Sequence, residues 1–288
     1  MNPQRKAECL LAIVQLFLGN VDGLPGRYTD THQMHSDDLS VLICGRFLII
    51  KILMRPYHQV PIQECGEPLV AIPLELFAVE FPHPYEKLGA PYGEHSPYFL
   101  RQSLVDSLIA AQNYLQLLRP DWRIQIFDAY RPVVVQQFMV DYTFAEAVRE
   151  RGLVEAELSA TQRQEIWQEV YKIWAEPSLD EKTPPPHSTG AAVDVTLVDE
   201  TGEVVNMGSP IDELSERSLP DYYAISDIPE AQQYHGNRLL LCDVMEKAGF
   251  KRNPREWWHF SLGDQMWAWL HNQANPDQNF VARYGRLV

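Results

Sequence analysis

The stretch His187-Ser188-Thr189-Gly190-Ala191-Ala192-Val193-Asp194-Val195-Thr196-Leu197-Val198 puts a histidine in a loop and a carboxylate seven residues on, inside an almost wholly apolar run. Ala191–Val198 reads as a strand, with Glu203–Met207 as its hairpin partner across the turn Asp199-Glu200-Thr201-Gly202. Gly190 and the alanines let neighbouring backbones pass close. Asp194 is the anomaly in this run, because a carboxylate surrounded by Ala191, Ala192, Val193, Val195 and Leu197 needs a partner. A metal ion is one such partner. A loop histidine followed by a turn-flanking aspartate is the other reading, since a chain with nine histidines offers such spacings by chance.

Downstream, Glu256-Trp257-Trp258-His259-Phe260 brackets two tryptophans with a carboxylate and an imidazole. Large aromatics exclude water and position polar neighbours. Glu256–Leu262 is expected to be a strand, which creates a tension: residues 256 and 259 of a regular strand face opposite sides. Both reach one metal only if the segment twists, bulges or ends there. Taken together, the two segments supply two imidazoles, one carboxylate and a spare carboxylate. Three N/O ligands with a fourth position left to water form the pattern of a catalytic zinc site. Such a metal lowers the pKa of water from about 15.7 to about 7, and a neighbouring Glu can take the proton.

Upstream, Leu104, Leu108, Ala111, Leu115 and Leu118 recur at steps of three and four, so Gln102–Arg119 is expected to be an amphipathic helix ended by Pro120-Asp121. Arg123–Ala129 reads as a strand with Ile124 and Ile126 on one face. A second helix is expected from Pro132, in its first turn, to about Arg151, before Gly152. Thr161-Gln162-Arg163-Gln164 fits a capping box opening a third helix through about Trp174. Arg238–Lys247 reads as a helix capped by Gly249, and the proline- and aromatic-rich Cys65–Pro97 as extended segments and turns. Helices and a hairpin alternate without βαβ regularity, so the fold class is α+β. Arg131, in Asp128-Ala129-Tyr130-Arg131-Pro132, sits at a strand-to-helix junction, where functional side chains are commonly delivered. A fixed guanidinium there could stabilise an oxyanion, an effect of roughly 3–4 kcal/mol when a donor is removed.

Residues 1–53 lack a clean period and read as a poorly defined N-terminal extension, either an appendage or sequence upstream of the true start. Residues 54–288 read as the compact domain. Lys and Arg number 24 against 39 Asp and Glu, a formal net charge of −15, which argues against a nucleic-acid partner. Cys9, Cys44, Cys65 and Cys242 show no CxxC spacing, so no cysteine zinc site or disulfide framework is indicated. The apolar stretches Leu10–Leu18 and Val41–Met54 fall short of the ~20 residues of a membrane span. Arg5 and Lys6 precede the first of these, but no small-x-small cleavage site follows it, so the cytoplasm is the expected location, ahead of the periplasm. The remaining histidines, His83 among them, the Trp267–Trp269 pair and the acidic stretch Glu213–Glu216 read as ordinary packing or surface groups.

The motifs together resemble the D-Ala-D-Ala dipeptidases. These belong to a wider group of zinc metallopeptidases that also includes D,D-carboxypeptidases and the hedgehog signalling domain. H-x6-D with a later H matches His187, Asp194 and His259; D-x-Y-R-P matches Asp128–Pro132; E-x-W-H matches Glu256–His259. M-G-S-x-x-D-x-x-x-E-R-S matches Met207–Ser218, and N-R-x-L-L-x-x-x-M-x-x-x-G-F matches Asn237–Phe250. The resemblance covers about residues 82–262. Pro184–Pro186 stands where the family carries a serine-containing lead-in, and Tyr85–Gly93 only loosely matches its Asn-Phe-x-Gly segment. The resemblance implies a central, mostly antiparallel sheet with helices packed on it. It also implies one zinc ion per subunit on His187, Asp194 and His259, Glu256 as general base and then proton donor, and Arg131 as transition-state stabiliser. Asp212 would hold the ammonium group of a small dipeptide substrate, D-alanyl-D-alanine. A zinc D,D-carboxypeptidase acting on peptidoglycan stems and a noncatalytic zinc-binding module are the alternatives.

Overall fold

The chain's computed structural model describes residues 55–287. The readings that fall on residues 1–53, including the N-terminal extension and its boundary, Cys9, Cys44, His32 and His35, lie outside the described residues. The strands are β1 (Leu69–Ala71), β2 (Ala78–Val79), β3 (Phe99–Arg101), β4 (Arg123–Asp128), β5 (Ala192–Val198), β6 (Lys251–Arg252) and β7 (His259–Ser261). The helices are α1 (Pro84–Lys87), α2 (Gln102–Leu118), α3 (Val133–Glu150), α4 (Ala160–Ile173), α5 (Pro229–Lys247) and α6 (Gln265–Ala274).

Strand β5 lies at the centre of a five-stranded sheet of order β2-β4-β5-β7-β6. Only the β2–β4 pair is parallel; β4–β5, β5–β7 and β7–β6 are antiparallel, as expected for an α+β fold. Every residue of β5 is buried, with Val193, Val195 and Leu197 on one face and Ala192, Asp194, Thr196 and Val198 on the other. On one face Val193, Val195 and Leu197 join Ile124 and Ile126 of β4 in the main core. Helix α2 closes that core with Leu104, Leu108, Ala111 and Leu115, each fully buried, and α5 adds Leu241, Val244 and Met245. Burying each of these leucines contributes about 1.5–3 kcal/mol relative to solvent exposure. A second core forms where α3 and α4 pack through Val135, Met139, Phe144, Ile166 and Val170.

Several local readings shift. The capping box of α4 is Ser159 with Gln162, two residues before the expected Thr161: Ser159 accepts from Gln162 N, and Ser159 N donates to Gln162 Oε1. Thr161 already lies in the first turn. Pro132 is the N-cap of α3 rather than a residue of its first turn, and its carbonyl accepts from Val135 N and Gln136 N. Helix α5 begins at Pro229, nine residues before the expected Arg238; its first turns are largely exposed and carry no apolar period to announce them. Gly249 follows α5 with φ +95°, as a C-terminal glycine should. The hairpin partner of β5 shrinks to a bridge at Val198–Val204, flanked by Val205 N donating to Leu197 O. The expected strand Glu256–Leu262 is only His259–Ser261. Among the described residues no helix is long and apolar enough to cross a membrane.

Candidate metal centre and catalytic site

Asp194 of β5 is paired directly with His259 of β7 on one side and with Asp128 of β4 on the other. Residues paired across adjacent strands project to the same face, so the three side chains form a row across the sheet. Asp128 joins that row through a β-bulge. Ile124 and Ile126 pair with Leu197 and Val195, so regular pairing would set Asp128 against Val193, on the core face. The register shifts between Ile126 and Asp128, and Asp128 meets Asp194 instead.

His187 approaches the row from the 3-10 turn Pro186–Thr189. Gly190 ends that turn at φ +69°, and a Cβ there would sit 2.7 Å from Leu69 Cδ1, so what passes close is a side chain rather than the backbone expected from the sequence. His187 Nδ1 donates to Ala129 O at 2.7 Å, which leaves Nε2 as the lone-pair nitrogen. That Nε2 lies 3.1 Å from His259 Nδ1 and 3.3 Å from Asp194 Oδ2, and His259 Nδ1 lies 3.0 Å from Asp194 Oδ1. A tetrahedral zinc with ligands about 2.0–2.1 Å away spaces them by about 3.3 Å. Three acceptor atoms at this spacing repel unless a cation or proton lies between them, and all three residues are buried. The donor set therefore fits a divalent metal with one open position.

These residues open onto a cavity of about 250 Å³ that Glu256, Arg131 and Asp212 also line. That is smaller than the roughly 300–1,000 Å³ of drug-sized sites, as suits a very small ligand. Glu256 sits in the turn between β6 and β7, where its N donates to Asn253 O. Because it lies outside β7, it can face the cavity together with His259, with Oε2 3.9 Å from His259 Nδ1. Burial, with Asp194 adding to it, pushes the Glu256 carboxyl up to about 7 despite the opposing His259 charge. Burial and the neighbouring Asp194 likewise push Asp212 up to about 7. Asp212 has φ +64°, the left-handed region that aspartate enters at modest cost. Its Oδ2 accepts from Tyr85 Oη at 2.6 Å.

Arg131 is 4% exposed and multiply held. Its Nε donates to Asp128 Oδ2 at 2.9 Å, Nη2 lies 2.7 Å from the same oxygen, and Nη1 donates to Gln136 Oε1 at 2.8 Å. Nη2 lies 3.4 Å from Asp194 Oδ2, and the guanidinium stacks near Tyr85 and Trp174 at 5.1 and 4.8 Å. All six residues singled out in the sequence thus meet at one cavity. Their supports were missed. His83, read as ordinary, is fully buried, with Nε2 3.3 Å from Asp128 Oδ1, and Tyr92 Oη donates to the same oxygen at 3.0 Å. Asp128, three residues before Arg131, was the one legible signal of this layer. Trp267 packs against His271 and Phe280 as expected, whereas Trp269 also lines the cavity.

The family model described as D-ala-D-ala dipeptidase matches residues 79–281, a span holding all six residues. A D-alanyl-D-alanine dipeptidase of Synechocystis sp. is 51% identical over 240 residues, covering 81% of this chain and 97% of that protein. One from Escherichia coli is 47% identical over 76 residues, 26% of this chain and 37% of that protein. Among solved structures, the LdcB LD-carboxypeptidase aligns with 74% of this chain and 75% of its own, at 14% identity and a TM-score of 0.37, too low to build on.

Proposed function

The chain belongs to the D-ala-D-ala dipeptidase family of peptidases, and on that premise we propose that it hydrolyses free D-alanyl-D-alanine to two D-alanines with one zinc ion on His187, Asp194 and His259. The observation that carries this reading is the convergence of three ligand atoms, 3.0–3.3 Å apart, on a small cavity shared with Glu256 and Asp212. Zinc bound there would acidify a water to a pKa of about 7 and polarise the scissile carbonyl.

The chain's own residues supply the rest. Glu256 takes a proton from the attacking water. When the C–N bond breaks, Glu256 returns that proton to the leaving nitrogen. A carboxyl near 7 suits both transfers at neutral pH. Arg131 faces the charge that develops on the carbonyl oxygen, and Asp128 and Gln136 hold its fork in place before substrate arrives. Asp212 pairs with the substrate ammonium group. A longer or amine-blocked chain would leave that carboxylate unpaired in a confined site, which disfavours it.

The test is hydrolysis of D-Ala-D-Ala by the purified protein with and without chelator, beside L-Ala-L-Ala and N-acetyl-D-Ala-D-Ala. Chelator-sensitive cleavage of the free D,D-dipeptide alone is expected. Cleavage of the acetylated peptide would move the protein to the carboxypeptidases. No cleavage with metal bound would make it a noncatalytic zinc module.

A further inference from the structure

Two guanidinium groups border the same cavity and have no part in the chemistry above: Arg55 and Arg255. Arg255 lies on the exposed rim, and only its backbone N is bonded, donating to Asn253 Oδ1 at 3.0 Å. Arg55 donates to the carbonyls of Tyr171 and Trp174. Among the described residues neither guanidinium has a carboxylate at ion-pair distance. Glu169, which shares a neighbouring hollow with Arg255, is paired with Arg151 instead. The two cations crowd each other: partial desolvation first, and then Arg55, hold Arg255 below its usual value. An anion between them would relieve that repulsion.

Their position is directional. Arg255 immediately precedes Glu256 in the chain, and Arg55 lines the same cavity and acts on both. Asp212 lies instead with Arg131, whose charge is already met by Asp128. The cavity therefore offers a carboxylate at Asp212 and two guanidiniums without carboxylate partners next to Glu256. A free dipeptide is a zwitterion with the same polarity. On the dipeptidase reading, on which this inference rests, the ammonium group goes to Asp212 and the leaving nitrogen to Glu256. The carboxylate carbon is two bonds beyond that nitrogen, about 2.5 Å away. It must then lie on the Glu256 side.

We propose that Arg255, with Arg55 beside it, binds the C-terminal carboxylate of the dipeptide and so selects a substrate that ends at the leaving residue. A guanidinium presents paired donors matched to a carboxylate. The test uses the full-length zinc-loaded protein and compares D-Ala-D-Ala with D-alanyl-D-alaninamide, which lacks the negative charge. The wild type should prefer the free acid. Arg255→Ala should lower kcat/KM for the free acid roughly 10- to 100-fold, mainly through KM, and leave the amide little changed. Arg255→Lys should recover part of the loss. Arg255→Gln, of similar length and neutral, takes the place of the alanine variant if the latter melts early. Equal losses on acid and amide would overturn the carboxylate assignment while leaving the peptidase reading intact. A zinc-loaded wild type that cleaves neither compound would overturn that reading and this inference with it.

Discussion

Asp128 stands directly opposite Asp194 in the β4–β5 ladder, a pairing of two buried carboxylates that exists only because a bulge skips Phe127. Like charges placed opposite each other destabilise a sheet unless a cation joins them. Arg131 is that cation, at 2.7 Å from Asp128 and 3.4 Å from Asp194. The pair links Asp194, a proposed metal ligand, to Arg131, the proposed oxyanion donor. His187 Nδ1, which donates to Ala129 O, also lies 3.4 Å from Asp128 Oδ2, so the same carboxylate faces both the imidazole and the guanidinium.

Asp128→Asn removes the charge that holds this arrangement. Partners of metal ligands typically contribute about 10–100-fold to affinity or activity. A loss of that size in kcat/KM is expected, with weakened zinc retention measured by competition with a chromogenic chelator. Unchanged kinetics and zinc affinity would refute the linking role.

Glu256→Gln keeps the shape of the side chain and removes the proton carrier. The expected outcome is a loss of about 10²–10⁴-fold in kcat. Zinc content, measured by elemental analysis of the purified variant, should stay near one per chain. Full activity in this variant would exclude Glu256 as the base.

Asp212 governs a pH dependence. Its carboxyl is pushed up to about 7 by burial and Asp194, so the free enzyme loses the ammonium partner as pH falls through that value. KM for D-Ala-D-Ala should rise below pH 7, approaching about tenfold per unit. In Asp212→Asn, KM should be high and nearly flat over the same range. A wild-type KM that falls on acidification would contradict the assignment.

Metal binding should stabilise the fold, because ligands on β5, β7 and the 187 turn are brought together only in the folded chain. Saturating zinc raises the stability of a protein that binds it only when folded by about 2.7 kcal/mol at a hundredfold excess over Kd. Thermal melts with and without chelator should therefore differ by several degrees in the wild type. In His259→Ala the difference should largely vanish.

Leu108→Ala, at a fully buried position in α2, tests the core independently of the site. A destabilisation of about 2–5 kcal/mol is expected by urea titration. The kinetic constants of the remaining folded enzyme should be unchanged.

Much of this molecule is legible in one dimension. The three-and-four spacing of Leu104, Leu108, Ala111 and Leu115 yields α2 nearly to the residue, because a helix shows its buried stripe locally. The apolar run around Asp194 marks both the central strand and the charge that needs a partner. Boundaries set by competing local hydrogen bonds are less legible. Ser159 and Thr161 both fit a capping box, and only the folded chain chooses between them.

The sequence by itself determined the α+β class and singled out the residues proposed as ligands, base and arginine, since residue chemistry and periodicity are local properties. Only the tertiary structure decided where those groups meet. The bulge at Phe127 turned Asp128 from the core face to the face of Asp194 and His259, and the late start of the strand at His259 released Glu256 from the alternation of a strand. It also brought His83 onto Asp128 and set Arg55 on the same cavity as Glu256, across 45 and 201 residues of chain. Such contacts join residues far apart in sequence, and no period or spacing within a segment encodes them.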